Sequence, residues 1–470
     1  MTTATAPIPS SPLAIGAEAS IERVCRVEDL IVFAHASGDL NPLNLPGADK
    51  DGDGRPDDDS EAPAMWMGSL FSALFGNVLP GPGSRLCRQS LRFFAPVHIG
   101  DRLRISVRVT AIGADRLLTF ACDARNADGI TVCDGEAEVR APLTPLAPEP
   151  DALPRLVVAR HAHFERVLAA CAGLAPLKTA VAAPEEAKAL GGAVRAAEAG
   201  LIEPILIGDR DRIAAAAAEA KLDIARFELR QAATPEDAAA DAVALINAGG
   251  AAALMKGALH TDALLHHVVK RDGGLRAGRR ITHVFVFDVP GLPHLLHVSD
   301  AAIAIAPTLE EKVDIVQNAI DLARALGVET PRVGVLSAVE TVNAKMQSTL
   351  DAAALSKMSE RGQIRGGLVD GPLAMDNAID PGAARTKGLR SLVAGRADVL
   401  IAPNIEAGNI LVKELAFVSH AEGAGLVLGA KAPIILTSRA DDETSRLISC
   451  AIALLYDDWR RTGRSRLNST

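Results

Sequence analysis

A polar segment near the C-terminus has the residue types that bind phosphate. The stretch Lys431–Arg439 begins as an apolar β-type run and ends in Thr437, Ser438 and Arg439. A guanidinium can hold two phosphate oxygens at once, and hydroxyls and helix N-terminal amides add further donors. We therefore predict that Ser438 and Arg439 bind a phosphate-like anion. The alternative for Arg439, a surface ion pair, involves the acids that follow it: Asp441, Asp442 and Glu443.

A second polar cluster lies upstream and offers supporting donors. Its hydroxyl and amide residues are Ser337, Thr341, Asn343, Ser348 and Thr349. We expect Ser337, Ser348 and Thr349 to assist phosphate binding. Any one of them, taken alone, is equally consistent with a helix cap or a turn.

The elements that must position these side chains are alternating strands and helices. Short apolar runs separated by Ala-rich helices indicate a mostly parallel sheet covered by helices. The candidate strands are Pro204–Gly208, Ala251–Lys256, His283–Val289, Asp300–Ala306, Arg332–Leu336, Asp398–Pro403 and Ala432–Thr437. Such sheets bind ligands beyond the carboxyl ends of their strands. Polar clusters follow these strands at Lys256–Thr261, Asp288, Ser337, Asn404–Glu406 and Thr437–Arg439.

The residues before about 145 show a different pattern of apolar and polar side chains. Alternating apolar and polar residues at Leu103–Ile112 and Leu117–Asn126 indicate half-buried antiparallel strands. A proline-rich stretch at 143–154 is expected to be an extended linker. We therefore predict a flexible N-terminus at 1–15, one domain at 16–142 and another at 155–470.

Composition restricts the class of protein. The 470 residues carry a net charge of −9, and without a basic tract the chain is a poor candidate for binding nucleic acid. The six cysteines show no metal-type spacing, the N-terminus does not have the pattern of a signal peptide, and no apolar run is long enough to span a membrane. We expect a cytoplasmic protein with reduced thiols.

The C-terminal motifs resemble those of the phosphate acetyl/butyryltransferase family. They are Leu254–Asp262, Ala306–Lys312, Asp370–Asp376, Asn404–Asn409 and Leu436–Arg439. The resemblance runs from about 155 to the end. It implies a two-lobed α/β fold similar to isocitrate and isopropylmalate dehydrogenases, with the second lobe inserted at about 295–428.

That resemblance implies exchange of an acyl group between a CoA thioester and inorganic phosphate, with no cofactor. The further residues expected to bind substrate are Lys256, His260, Thr261, Arg276, Arg280, Asn404, Glu406 and Asn409. His260 is equally consistent with a loop histidine. Arg276 and Arg280, with Arg279, either hold the phosphates of CoA or are solvated helix-end charges. Ser445 occupies the position of the catalytic aspartate of acetyltransferase members, six residues after Arg439.

The N-terminal motifs resemble MaoC-like, R-specific enoyl-CoA hydratases. They are Phe33–Pro42, Leu79–Gly83 and Phe93–Asp101. The resemblance implies a hot-dog fold, in which an antiparallel sheet wraps one long helix. That family uses an Asp and a His five residues apart; here Asp39 is present, but Asn44 takes the place of the His.

Because an amide cannot act as a base near neutral pH, we predict impaired hydration and treat Asp39 as a remnant of the hydratase site. His35, four residues before Asp39, is a weak candidate for rescue. Gly68 and Ser72 match positions near the thioester pocket of that family.

Three readings of the whole chain stay open. They are a phosphate acyltransferase with a degenerate hydratase domain, a fully bifunctional enzyme, and a non-catalytic scaffold that binds CoA thioesters. Both halves resemble families that dimerise, so we expect a homo-oligomer, a dimer or larger. The acidic stretch Asp49–Asp57 has part of a calcium-loop pattern, but Ser60 stands where the bidentate acid belongs. We expect a solvated loop there and no metal.

Overall fold

The computed structural model describes residues 13–48, 50, 59–144, 146, 156–158, 160–436 and 443–468. The chain contacts divide it into two units, 1–158 and 159–470. The stretch predicted to be a linker, 143–154, lies mostly outside the described residues and stays a prediction.

In the N-terminal unit an antiparallel sheet packs against a helix. The elements are β1 (Glu18–Val24), α1 (Val27–Ser37), α2 (Ala64–Asn77), β2 (Arg85–Phe93), β3 (Arg102–Ile112), β4 (Leu117–Arg125) and β5 (Thr131–Arg140). The described strands lie in the order β1-β3-β4-β5-β2. Phe71, Leu74 and Phe75 of α2 are buried against inward-facing residues of the sheet, among them Phe120, whose ring centroid lies 5.1 Å from that of Phe75. The predicted hot-dog arrangement is confirmed.

The C-terminal unit is a mixed α/β domain, as predicted. Its helices are α3 (Ala162–Ala170), α4 (Ala187–Glu198), α5 (Arg210–Ala220), α6 (Pro235–Asn247), α7 (Thr261–Val269), α8 (Leu309–Ala325), α9 (Gln347–Glu360), α10 (Met375–Ile379), α11 (Pro381–Thr386), α12 (Ile405–Phe417) and α13 (Glu443–Thr462). Its strands are β6 (Leu177–Ala182), β7 (Ile202–Gly208), β8 (Glu228–Gln231), β9 (Ala253–Lys256), β10 (Thr282–Asp288), β11 (Leu296–Ser299), β12 (Arg332–Leu336), β13 (Leu368–Leu373), β14 (Val399–Ile401), β15 (Glu422–Leu428) and β16 (Ile434–Ile435).

These strands form one continuous sheet in the order β13-β12-β14-β11-β10-β15-β16-β9-β6-β7-β8. The five strands from β16 to β8 are parallel to one another, and so are the four from β13 to β11. Between these groups, β10 is antiparallel to β11 and β15, and β15 is antiparallel to β16. The two parallel groups therefore run in opposite directions, and their carboxyl ends lie at opposite edges of the sheet.

The predicted strand at Asp300–Ala306 is wrong. The strand is β11, four residues earlier, and 300–306 forms bends. The Asp300 carboxylate accepts hydrogen bonds from the backbone amides of Ala302 and Ile303, at 2.8 and 2.9 Å. An Asx turn of this kind ends the strand although the following residues are apolar. None of the helices in the described part of the chain combines the length and apolar composition needed to cross a bilayer.

Candidate functional site

Two cavities in the C-terminal unit border residues predicted from sequence. The Lys256 cavity, of about 610 Å³, lies at the carboxyl ends of β9 and β16. The Ser337 cavity, of about 730 Å³, lies at the carboxyl ends of β12 and β14. Because these strand pairs run in opposite directions, the structure divides the predicted site residues between two edges of the sheet.

The polar end of the Lys256 cavity combines a buried cation with a helix N-terminus. Lys256 is only 6% exposed, and its Nζ donates to the carbonyls of Gly257 and Leu259, at 3.4 and 3.3 Å. His260 and Thr261 also line the cavity, at the position where α7 begins. A buried ammonium and the free amides of a helix N-terminus both favour an anionic ligand.

The predicted phosphate-binding residues belong to the segment that follows β16. Ser438 and Arg439 lie outside the described residues, so their roles stay predictions. Leu436, which precedes them, lines the Lys256 cavity, and so does Ser445, in the first turn of α13. The segment from 437 to 442 therefore connects two parts of this cavity wall.

A row of aromatic side chains from β10 forms another wall. His283, Phe285 and Phe287 are alternate residues and so project from the same face of the strand. The rings of His283 and Phe285 are 4.1 Å apart between centroids, and those of Phe285 and Phe287 are stacked at 5.9 Å. The sequence predicts this run as a strand, and its alternating aromatic residues are the signal that could have identified it as a wall of the site.

Glycines in the neighbouring strand β15 leave room for this row. A Cβ atom on Gly423 would lie 2.7 Å from Cε1 of Phe287, and one on Gly425 would lie 2.7 Å from Cε1 of His283. Both separations are closer than nonbonded carbon atoms tolerate. The rings therefore occupy space that any larger residue at these positions would need.

His283 is the buried titratable group of this wall. Burial lowers the pKa of His283 to about 4, while Asp300 and a backbone hydrogen bond with Leu436 act in the opposite direction. Within the described residues, its Nδ1 has no hydrogen-bond partner. The imidazole is therefore neutral at pH 7.

Helix α12 separates the two cavities. Its N-cap Asn404 accepts a hydrogen bond from the amide of Ala407 at 3.0 Å and borders the Ser337 cavity. Asn409 and Lys413 face the Lys256 cavity instead. Glu406 is exposed and lines neither cavity. Asn404, which the resemblance assigns to substrate binding, thus caps α12, and its place in that binding stays a prediction.

The Ser337 cavity contains a hydroxyl pair and a buried ion pair. The Oγ atoms of Ser337 and Ser348 are 2.8 Å apart. The Lys312 Nζ lies 2.7 Å from Oδ2 of Asp351, and both residues are buried. The motifs Ala306–Lys312, Asp370–Asp376 and Asn404–Asn409 also contribute residues to this cavity, but no pattern in the sequence predicted that Lys312 pairs with Asp351.

Thr349 and its neighbours shape the loop before α9. The Thr349 hydroxyl donates to the carbonyls of Asn343 and Met346, at 2.9 and 2.8 Å, and accepts from the Asn343 amide at 2.9 Å. This fully buried hydroxyl stabilises the loop. Thr341 and Asn343 are exposed and line neither cavity.

Four other residues singled out in the sequence make contacts away from the two cavities. Arg279 and Arg280 form ion pairs with Asp321 and Glu311 of α8, and the Arg276 guanidinium donates to a backbone carbonyl. All three arginines are exposed. Their predicted contact with CoA phosphates stays a prediction. The Asp288 carboxylate accepts hydrogen bonds from the backbone amides of His163 and Phe164 at the start of α3, which is a structural role.

In the N-terminal unit, Asp39 and Asn44 lie in the turns that follow α1. Gly38, with φ of 75°, ends α1, so His35 and Asp39 do not share a helical face. The Asn44 amide donates to the carbonyl of Glu61 at 2.9 Å, which fixes the side chain. Of the acidic stretch, Asp49 and residues 51–58 lie outside the described residues.

Comparison with known proteins covers both units. The family model for phosphate acetyl/butaryl transferase matches residues 230–454. The N-terminal unit is similar to the unliganded R-hydratase PhaJ1 from Pseudomonas aeruginosa: identity is 34%, 31% of this chain and 94% of that chain are covered, and the TM-score is 0.29.

Two further relatives match the C-terminal unit. The crystal structure of a branched-chain phosphotransacylase from Enterococcus faecalis V583 is 28% identical, with 60% of this chain and 99% of that chain covered and a TM-score of 0.53. A phosphate acetyltransferase from Rhizobium meliloti is 55% identical over 306 residues, which cover 65% of this chain and 97% of that protein. At this identity and coverage, the chain belongs to the phosphate acetyl/butyryltransferase family.

Proposed function

We propose that the chain transfers a short acyl group between a CoA thioester and inorganic phosphate, and that it does so in the Lys256 cavity. The supporting observation is the polar end of that cavity. There, buried Lys256 and the start of α7 line the same cavity as Leu436 and Ser445, which flank in sequence the segment that carries Ser438 and Arg439. Both the cation and the helix favour a phosphate dianion.

In this reaction phosphate itself is the nucleophile. One phosphate oxygen attacks the thioester carbonyl carbon, and the carbonyl oxygen becomes an oxyanion. The C–S bond then breaks, the acyl phosphate forms, and CoA leaves as a thiolate that takes up a proton.

The buried thiols of Cys171 and Cys450 are poor alternative nucleophiles, because burial raises the pKa of each to about 12.

The residues present can assist in two ways. Holding phosphate beside the thioester turns a bimolecular encounter into a step within one complex, which can supply several kcal/mol of the barrier. A cation and helix amides can also stabilise the oxyanion. We assign phosphate binding to Ser438 and Arg439, with Lys256 and the α7 N-terminus as supporting groups, and the same positive groups can serve the oxyanion.

The test is release of CoA thiol from acetyl-, propionyl- and butyryl-CoA, with and without phosphate. We expect release that depends on phosphate in the wild type and falls about 100-fold or more in Arg439→Ala. The control is Arg390→Ala, which removes an exposed arginine that lines neither cavity. Equal rates in the two variants would remove Arg439 from the site, and tight CoA binding without any turnover would favour the scaffold reading.

We also propose that the hydratase-like unit is impaired in hydration. Asn44 replaces the expected base, and its amide is committed to the Glu61 carbonyl. This unit would then bind CoA thioesters without hydrating them.

A further inference from the structure

We infer that the buried end of the Lys256 cavity binds the acyl chain, and that the cavity favours butyryl-sized chains over acetyl. This inference rests on the function proposed above, since it concerns the same cavity and the same substrates. It assigns a specificity role to Phe285, Phe287 and Ala416, which the sequence motifs did not single out.

The cavity changes in polarity along its length. Lys256, His260, Thr261, Ser445 and Ser449 form its polar side. Beyond them the wall consists of the two phenylalanines of β10 and the apolar face of α12. The apolar residues on this side are Leu259, Phe285, Phe287, Val412, Ala416 and Ala421. Glu422, which pairs with Asp288 directly after Phe287, also lines the cavity, and its Oε1 lies 3.6 Å from Nε2 of His161. The reacting carbonyl must lie near the bound phosphate, so the apolar side is left for the groups attached to it.

Two groups are attached to a thioester carbonyl, the acyl chain and the CoA arm. CoA carries charged phosphates and must extend to solvent. The open part of the cavity is marked by Phe417, which is 68% exposed and has the Lys413 ammonium 5.6 Å from its ring centroid. At the closed part, Phe287 is 2% exposed and Val412 is 4% exposed. In the bound thioester, the CoA arm therefore extends to solvent past Lys413 and Phe417, and the acyl chain points toward Phe287.

The closed end has the length for a chain longer than acetyl. Alternate residues of a strand are roughly 7 Å apart, so the step from Phe285 to Phe287 exceeds the length of an extended butyryl chain from its carbonyl carbon to its methyl carbon. The residue at position 423 has to be a glycine for Phe287 to lie as it does, because a Cβ there would be 2.7 Å from Cε1 of the Phe287 ring. An acetyl group would leave this apolar surface uncovered.

The experiment measures kcat/KM for acetyl- and butyryl-CoA, together with calorimetric binding of both, on the full chain. The variants are Phe285→Ala, which removes part of the wall, and Ala416→Phe, which fills the pocket from α12. Phe94→Ala, an exposed phenylalanine of the N-terminal unit, is the matched control. Melting temperatures establish that each variant is folded.

We expect the wild type to favour butyryl-CoA by about 10-fold or more, and Phe285→Ala and Ala416→Phe to reduce that preference to near unity. Phe94→Ala should leave the preference unchanged. Equal losses for both substrates would mean that the wall binds the CoA arm and would overturn the inference, as would a wild type that favours acetyl-CoA. If no acyl-CoA reacts with phosphate, the proposed function fails, and the chain-length dependence of binding still decides this inference.

Discussion

At the scale of single residues, His283 and His297 form an informative pair. Burial lowers the pKa of each to about 4. His297 has its Nδ1 3.1 Å from the carbonyl of Asp398 and lines neither cavity, whereas His283 borders the Lys256 cavity. Two neutral imidazoles are therefore buried in one sheet, and of the two only His283 borders the Lys256 cavity.

These histidines should make the C-terminal unit sensitive to acid. Between about pH 6.5 and pH 4 the unfolded chain binds protons that the folded chain does not. Stability is then complete above pH 6.5 and falls as the pH drops toward 4, by up to about 1.4 kcal/mol per pH unit for each histidine. Urea unfolding at pH 7.5, 6 and 5 measures this. His297→Gln should reduce the slope with pH, and an unchanged slope would show that this histidine is not the source.

At the scale of elements, the aromatic rings of β10 restrict which residues β15 can carry beside them. A Cβ on Gly425 would lie 2.7 Å from both the His283 ring and the backbone oxygen of Val284. We therefore expect Gly425→Ala to destabilise the unit by about 1–3 kcal/mol. Gly191 in α4 is the control, because a Cβ there would meet only Leu222, at 3.9 Å.

Gly191→Ala should be neutral or stabilise by up to about 1 kcal/mol, since alanine favours helix. Chemical denaturation of both variants checks the pair. If Gly425→Ala proved as stable as Gly191→Ala, the ring row would be free to move and would be a poor determinant of specificity.

The elements also show how far the sequence could predict the fold. Apolar runs located β3, β4, β7, β9, β10 and β12, because continuous or alternating apolar residues report burial directly. Strand direction was not visible, because it depends on long-range pairing of β10 and β15. For that reason Ser337 and Lys256, both polar residues at strand ends, lie at different edges. The Asp300 turn was missed because a local hydrogen bond overrides an apolar pattern.

At the scale of the whole molecule, two units with CoA-related resemblances share one chain. The C-terminal unit retains a polar cavity suited to phosphate, with Ser445 where acetyltransferase members have an aspartate. The N-terminal unit retains Asp39 and lacks the histidine that should act with it. Departures from both family patterns thus concern residues expected to transfer protons, while both folds are present.

Replacing Asn44 tests whether this one side chain accounts for the impaired hydration that we propose. Asn44 and Asp39 keep the five-residue spacing of the hydratase pair, and Asn44 is only half-buried, so an imidazole can replace its amide. We expect wild type and Asn44→Gln to hydrate trans-2-butenoyl-CoA at background rates. Asn44→His should raise the rate by about 100-fold or more, because it supplies the missing base.

The measurement is loss of enoyl-CoA absorbance, with Asp39→Ala introduced into the Asn44→His variant to show that any activity uses the pair. Hydration by the wild type that disappears in Asp39→Ala would contradict the prediction and favour a bifunctional enzyme. Failure of Asn44→His alone would have a different meaning. Since the Asn44 amide also fixes the turn through Glu61, losing that bond can displace Asp39, and the pocket would then need more than one substitution to recover hydration.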